Sequence, residues 1–173
     1  MDLKKYIRTI PDFPKKGIQF RDITTLISNP DAFSGTIDIF HEHYKIRRID
    51  VIAGIESRGF IFGGALADRL GVGFIPIRKK GKLPGGTISE TYDLEYGTDT
   101  LEIHDDAIKE GQQVLLLDDL IATGGSLEAA GKLIERLGGE IIEAAVVIEL
   151  VELGGREKIE PLKLYSLARY EGE

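Results

Sequence analysis

The sequence predicts an α/β protein with a mainly parallel central sheet flanked by helices, and three observations lead there. Short apolar runs suited to buried strands recur at residues 50–55, 73–77, 114–117, 140–150 and 162–167. Between them, apolar residues repeat every three or four positions, Phe62, Leu66 and Leu70 in one segment and Leu127, Ala130, Ile134 and Leu137 in another, which is the spacing of a helix face. Glycines close both segments, Gly71 the first and Gly138 with Gly139 the second, as expected where a helix ends in a left-handed residue. Strands and helices in alternation give a parallel sheet covered on both faces. Such sheets hold ligands beyond the carboxyl ends of their strands.

The other elements follow from the same rules. Asn29, Pro30 and Asp31 open a helix whose apolar face is Phe33, Ile37, Phe40 and Tyr44. Residues 87–96 alternate instead, with Ile88, Tyr92, Leu94 and Tyr96 on one side and Ser89, Thr91, Asp93 and Glu95 on the other. Followed by Gly97, Thr98 and Asp99 and then by TLEIH, they predict a β-hairpin, and the preceding KKGKLPGG would let it act as a flap over a site. A length of 173 residues with 42% hydrophobic content fits one domain. The balance of 22 basic against 29 acidic residues, net -7, has the wrong sign for gripping nucleic acid or anionic lipid by bulk charge. The absence of cysteine excludes disulfides and thiolate metal sites. With no apolar leader and no run long enough to span a membrane, the expectation is a soluble, cytoplasmic protein.

The chemistry concentrates in VLLLDDLIATGGS, residues 114–126. A glycine pair after a strand lets the backbone approach an anion, and a helix beginning near Ser126 aims unpaired N–H groups and its dipole at the same point. Thr123 and Ser126 add hydroxyl donors. No Gly-Lys-Ser/Thr follows, so this is not the nucleoside-triphosphate loop, and GVGFIP fails as a dinucleotide fingerprint because it ends in proline. Carboxylates beside a phosphate would repel it, so Asp118 and Asp119 need ribose hydroxyls or a hydrated magnesium ion as partners. The plainer alternative is that the glycines make a turn and the acids cap a strand. His41 and His43 lie two apart, on different faces of a helix, and are rejected as a metal pair; His104 carries no functional assignment.

That thirteen-residue arrangement resembles the donor signature of the type I phosphoribosyltransferases, which bind 5-phosphoribosyl 1-pyrophosphate. FPKKGIQFRDIT, GIESRGFIFG, IRKKGKLPG, YDLEYGTDTLEIH and ELVELGGREKI resemble the branch of that family that uses adenine, and together they run over most of the chain. The resemblance implies a single domain over residues 1–173, with a base-pocket segment at 1–30 and a flexible hairpin flap at about 79–104. It also implies the reaction of adenine with phosphoribosyl pyrophosphate (PRPP) to give AMP and pyrophosphate, with Mg2+ carried mainly by substrate near Asp118 and Asp119. A homodimer is expected, and neither nucleic acid nor membrane as partner. A transferase for another base, or a PRPP-sensing regulator of the same fold, would share the donor loop.

Residue by residue, the resemblance assigns the 5-phosphate to Ala122, Thr123, Gly124, Gly125 and Ser126, and the ribose to Asp118 and Asp119. It assigns pyrophosphate to Glu56, Ser57, Arg58 and Gly59 and to Arg78, Lys79 and Lys82, with Arg78 supplied to the partner subunit. Taken alone, the first group reads as a helix start and the second as a solvated basic loop. Gln19, Phe20, Arg21 and Leu150 become the adenine pocket, although Leu150 by itself reads as core. Glu95, by default a solvent-facing residue, becomes the acid that protonates the departing purine or accepts its proton in synthesis, with Tyr96 beside it. That role needs a carboxyl whose pKa is raised by burial under the flap.

Overall fold

The computed structural model describes residues 1–94 and 97–172. In chain order the elements are β1 (Arg8–Pro11), β2 (Gln19–Asp22), α1 (Thr24–Ser28), α2 (Pro30–Tyr44), β3 (Val51–Ile55), α3 (Arg58–Leu70), β4 (Gly73–Lys79), β5 (Thr87–Asp93), β6 (Thr98–His104), β7 (Gln113–Ile121), α4 (Gly125–Arg136), β8 (Glu140–Leu150), α5 (Gly155–Lys158) and β9 (Leu164–Tyr170), with short 3-10 turns at Leu3–Tyr6 and Val151–Leu153. The main sheet has seven strands in the order β5-β6-β4-β3-β7-β8-β9, and β1 pairs with β2 in a separate two-stranded sheet. From β4 to β9 the pairing is parallel.

Side-chain alternation along the central strands divides the core in two. Leu115 and Leu117 of β7 join Ile52, Phe40, Tyr44, Phe62 and Leu66 under α2 and α3. Val114 and Leu116 join Ala53, Val146, Leu127, Leu133 and Ile134 under α4. Strands covered on both faces read as unbroken apolar runs, so their presence is plain in the sequence. Local signals set the helix ends: the Asn29 side chain accepts from the Ala32 N–H at 2.9 Å to cap α2, and Gly71 closes α3 at φ 70°.

Three elements differ from the sequence reading. Strand β7 does not stop at Leu117 but runs through both acids to Ile121, because β8 keeps pairing beside it, Asp118 with Val146 and Ile121 with Glu149. The predicted hairpin exists, but its base is an integral edge of the main sheet: β6 pairs with β4 at Arg78 and Lys79, and Leu101 and Ile103 are buried. The β1–β2 hairpin was not anticipated, since four-residue strands carry too little alternation to register. Among the described residues no helix is long and apolar enough to cross a membrane.

Candidate active site

A cleft of about 470 Å³ lies at the carboxyl ends of β3, β4 and β7, lined by Glu56, Ser57, Arg58, Lys79, Asp118, Asp119 and the loop Ala122–Ser126 together with Tyr92, Asp93 and Leu94 of the hairpin. The loop owes its shape to Gly124. That residue adopts φ 84°, which side chains disfavour, and a β-carbon there would come within 2.7 Å of the Gly155 carbonyl oxygen. Helix α4 starts immediately afterwards at Gly125, so its unpaired amides face the cleft. Thr123 is exposed and Ser126 half-buried, which leaves both hydroxyls on the cleft wall.

Behind the loop, Asp118 and Asp119 are both buried. Burial, and then the neighbouring Asp119 charge, push the Asp118 carboxyl well above the usual carboxylate range, although the Asp119 N–H donates to its Oδ1 at 2.8 Å. Gly59 allows this crowding, since a β-carbon at its position would lie 2.9 Å from Asp118 Oδ1. Asp119 is paired: Arg58 Nε donates to its Oδ2 at 2.5 Å. Arg58 therefore lines the cleft, with its charge paired to Asp119. A cis peptide bond joins Glu56 to Ser57 at the cleft edge.

The basic segment divides. Lys79 lines the cleft and its Nζ lies 2.7 Å from Asp99, whose carboxyl is held low chiefly by that contact. Its backbone N–H donates to Glu56. Arg78, Lys82 and Gly59 are not among the lining residues: the Arg78 Nη2 is 3.3 Å from Glu56, and its Nη1 is 3.4 Å from the Lys82 carbonyl. Glu95 and Tyr96 lie outside the described residues; Leu94, next to them, is 47% exposed and lines the cleft. Sequence reading missed Tyr92, whose ring packs over Gly125, and Asp99, which no local pattern marks.

A second cavity of about 400 Å³ adjoins the first and shares Thr123 with it. Its walls are Ile18, Gln19, Arg21, Leu150, Glu152, Leu153 and Tyr170. The Arg21 guanidinium stacks 4.3 Å from the Tyr170 ring and donates to Thr9 Oγ1 at 2.6 Å, so it presents a flat face. Phe20, predicted in the pocket, lies beside it and packs edge-on against Phe13 at 5.2 Å. It points to the opposite side of β2 from Gln19 and Arg21, as strand alternation requires. Tyr170 was missed because its place in the pocket comes from β9 lying beside β8.

The histidines line neither cavity. His43 Nε2 is 3.1 Å from Glu143 and its ring stacks on Tyr165 at 3.7 Å, while His41 lies 3.7 Å from Glu42. His104 Nδ1 contacts the Gly86 carbonyl at 3.3 Å.

The phosphoribosyl transferase domain family matches residues 23–165. The chain is 60% identical to an adenine phosphoribosyltransferase of Parvibaculum lavamentivorans, covering 99% of each. Among solved structures it is similar to adenine phosphoribosyltransferase from Thermoanaerobacter pseudethanolicus, with TM-score 0.94 and 50% identity over 97% of this chain and 98% of that one. It is also similar to the Saccharomyces cerevisiae enzyme complexed with D-2,5-dideoxy-2,5-imino-altritol 1,6-bisphosphate and adenine, with TM-score 0.91 and 46% identity over 95% and 96% of the two chains.

Proposed function

The chain belongs to the phosphoribosyltransferase family, and on that premise we propose that its two adjoining cavities hold the donor and the base of one reaction. The reaction is transfer of the 5-phosphoribosyl group from PRPP to adenine, giving AMP and pyrophosphate. The observation that carries the division of labour is the shared wall at Thr123, where a polar cleft and a largely apolar cavity meet.

In this reading the 5-phosphate sits on the amides and hydroxyls of Ala122–Ser126, and the ribose diol binds Asp118 and Asp119. Pyrophosphate lies against Glu56–Arg58 and Lys79. Arg58, paired with Asp119, exchanges part of that contact for the donor's phosphates. Arg78 serves the partner subunit's donor, a role supported by its not lining the cleft of its own chain, and Lys82 is a further pyrophosphate contact. The same reading includes a homodimer and a cytoplasmic location.

Displacement at the anomeric carbon inverts it through an oxocarbenium-like state, so the chain must neutralise the leaving group, align the base and exclude water. Glu95 exchanges the purine proton, with Tyr96 beside it. Magnesium fits the donor set: among the described residues no group of three or more His, Cys, Asp or Glu forms a metal cage, but Asp118 and Asp119 offer hard oxygens to an ion held mainly by substrate. When bound it neutralises charge on the departing pyrophosphate. Adenine lies between Leu150 and the Arg21 face, with main-chain groups near Gln19 reading its edge.

The test is an assay with PRPP, magnesium and each base in turn. AMP and pyrophosphate should form with adenine; an equal or greater rate with hypoxanthine, guanine, xanthine or orotate would overturn the base assignment.

A further inference from the structure

Glu149 is a carboxylate near the end of β8 whose side chain is only 3% exposed, and the transfer reaction gives it no task. Arg156 grips it from two directions, Nε to Oε1 at 2.8 Å and Nη2 to Oε2 at 2.6 Å. Nη1 of the same guanidinium donates to the Leu164 carbonyl at 2.9 Å. Ser166 Oγ also donates to Glu149, and Arg169 Nε stands 3.3 Å away. A bidentate pair of this kind, with its carboxylate buried and its guanidinium half-buried, fixes direction as well as distance. It therefore ties the first turn of α5 to β8 and β9 in one orientation.

The residue before Arg156 is Gly155, and its backbone is the surface on which the phosphate loop rests. A β-carbon on Gly155 would collide with the Ala122 carbonyl oxygen and would lie 2.8 Å from Ile121 Cγ1. From the other side, the left-handed Gly124 has the Gly155 Cα within 3.1 Å of where its own β-carbon would be. Two glycine backbones are thus in direct apposition. One of them immediately precedes Arg156, and the other belongs to the Ala122–Ser126 loop. Strand alternation separates this support from the base pocket, since Leu150 lines that cavity while Glu149 turns to Arg156.

We infer that Arg156, locked by Glu149, is a positioning residue for the 5-phosphate subsite, holding the Gly155 wall that keeps the Ala122–Ser126 cradle in shape. The inference rests on the reading that this cradle holds the donor's 5-phosphate. Three variants separate the two ideas: Arg156→Lys keeps the charge and loses the fork, Gly155→Ala disturbs the wall directly, and Ser126→Ala alters the cradle itself. Ribose 5-phosphate affinity is measured by calorimetry, with the KM for PRPP and for adenine by steady-state kinetics.

Arg156→Lys and Gly155→Ala should each weaken ribose 5-phosphate binding and raise the PRPP KM by about tenfold, the scale of one lost charge-assisted contact. The adenine KM should stay within about twofold, inside the usual range for a site that does not touch the ligand. Unchanged ribose 5-phosphate affinity in Ser126→Ala would reject the phosphate reading. A weakened Ser126→Ala beside an unchanged Arg156→Lys would reject the positioning role alone, whatever Gly155→Ala does. Equal losses for ribose 5-phosphate and adenine would mean general loosening and would also overturn it. Should Arg156→Lys fold poorly, Glu149→Gln, which keeps Arg156 and removes its charged partner, decides by the same readouts.

Discussion

The two cavities meet at Thr123 yet are built on different principles. The polar cleft stands on the carboxyl ends of buried parallel strands, and three of its residues are crowded by neighbours: Asp118 by Gly59, Gly124 by Gly155 and Gly125 by Tyr92. The apolar cavity is assembled from peripheral pieces, β2, the turn after β8 and the end of β9, several of whose residues are half-exposed. The phosphoribosyl transferase domain match, residues 23–165, spans the cleft but leaves Gln19, Arg21 and Tyr170 outside it. In the proposed reading, a donor common to the family sits at the sheet end, and the choice of base belongs to segments at the margin.

That contrast is open to attack by substitution. The largest effect is expected at the transferring atoms: Glu95→Gln should lower turnover by about two to four powers of ten, the usual reach of general acid or base catalysis, with both KM values little moved. Turnover near wild type in a stopped assay would remove Glu95 from the reaction. Next, Asp118→Asn with Asp119→Asn should raise the PRPP KM by roughly ten- to a hundredfold, as charged hydrogen bonds to the ribose are lost, and leave the adenine KM alone. An adenine KM that rose equally would merge the two regions.

The mirror experiment is Leu150→Ala, expected to raise the adenine KM about tenfold, the scale of trimmed apolar contact in a pocket, with the PRPP KM unchanged. The smallest effect concerns the anchoring of the marginal segment. Asp22, at the end of β2, has its carboxyl lowered to about 2, first by the Thr24 hydroxyl at 2.6 Å and then by Arg8, whose Nε is 3.1 Å away. A depressed folded pKa contributes stability that is present above the unfolded value of about 3.9 and is lost as pH falls toward 2. Urea titrations should therefore show Asp22→Asn less stable than wild type at neutral pH, with the gap narrowing between pH 4 and pH 2. A gap independent of pH would assign the effect to packing.

The residues themselves explain which features were legible. The strands at 114–117 and 140–150 and the helices after Arg58 and Gly125 announce themselves, because burial on both sheet faces demands continuous apolar runs and helix faces demand a three-to-four spacing. The glycine turn ahead of α4 was equally plain, since a left-handed residue before a helix leaves few choices besides glycine. Arg21, Leu150 and Glu95 have no such local signature; side-chain type and spacing read them as ordinary, and resemblance alone singled them out.

By itself, then, the chain's order of residues determined the layered sheet, the glycine cradle and the adjacent acids, all consequences of short-range sterics and periodic burial. Tertiary structure decided that Arg58 turns to Asp119, that Arg78 leaves its own cleft, that Tyr170 underlies Arg21, and that Gly155 braces Gly124. The contacts of Arg58 with Asp119, Tyr170 with Arg21 and Gly155 with Gly124 join residues from about thirty to well over a hundred positions apart. They depend on strand order and on which backbones approach closely enough to touch, and neither is encoded in the spacing of residues within one segment.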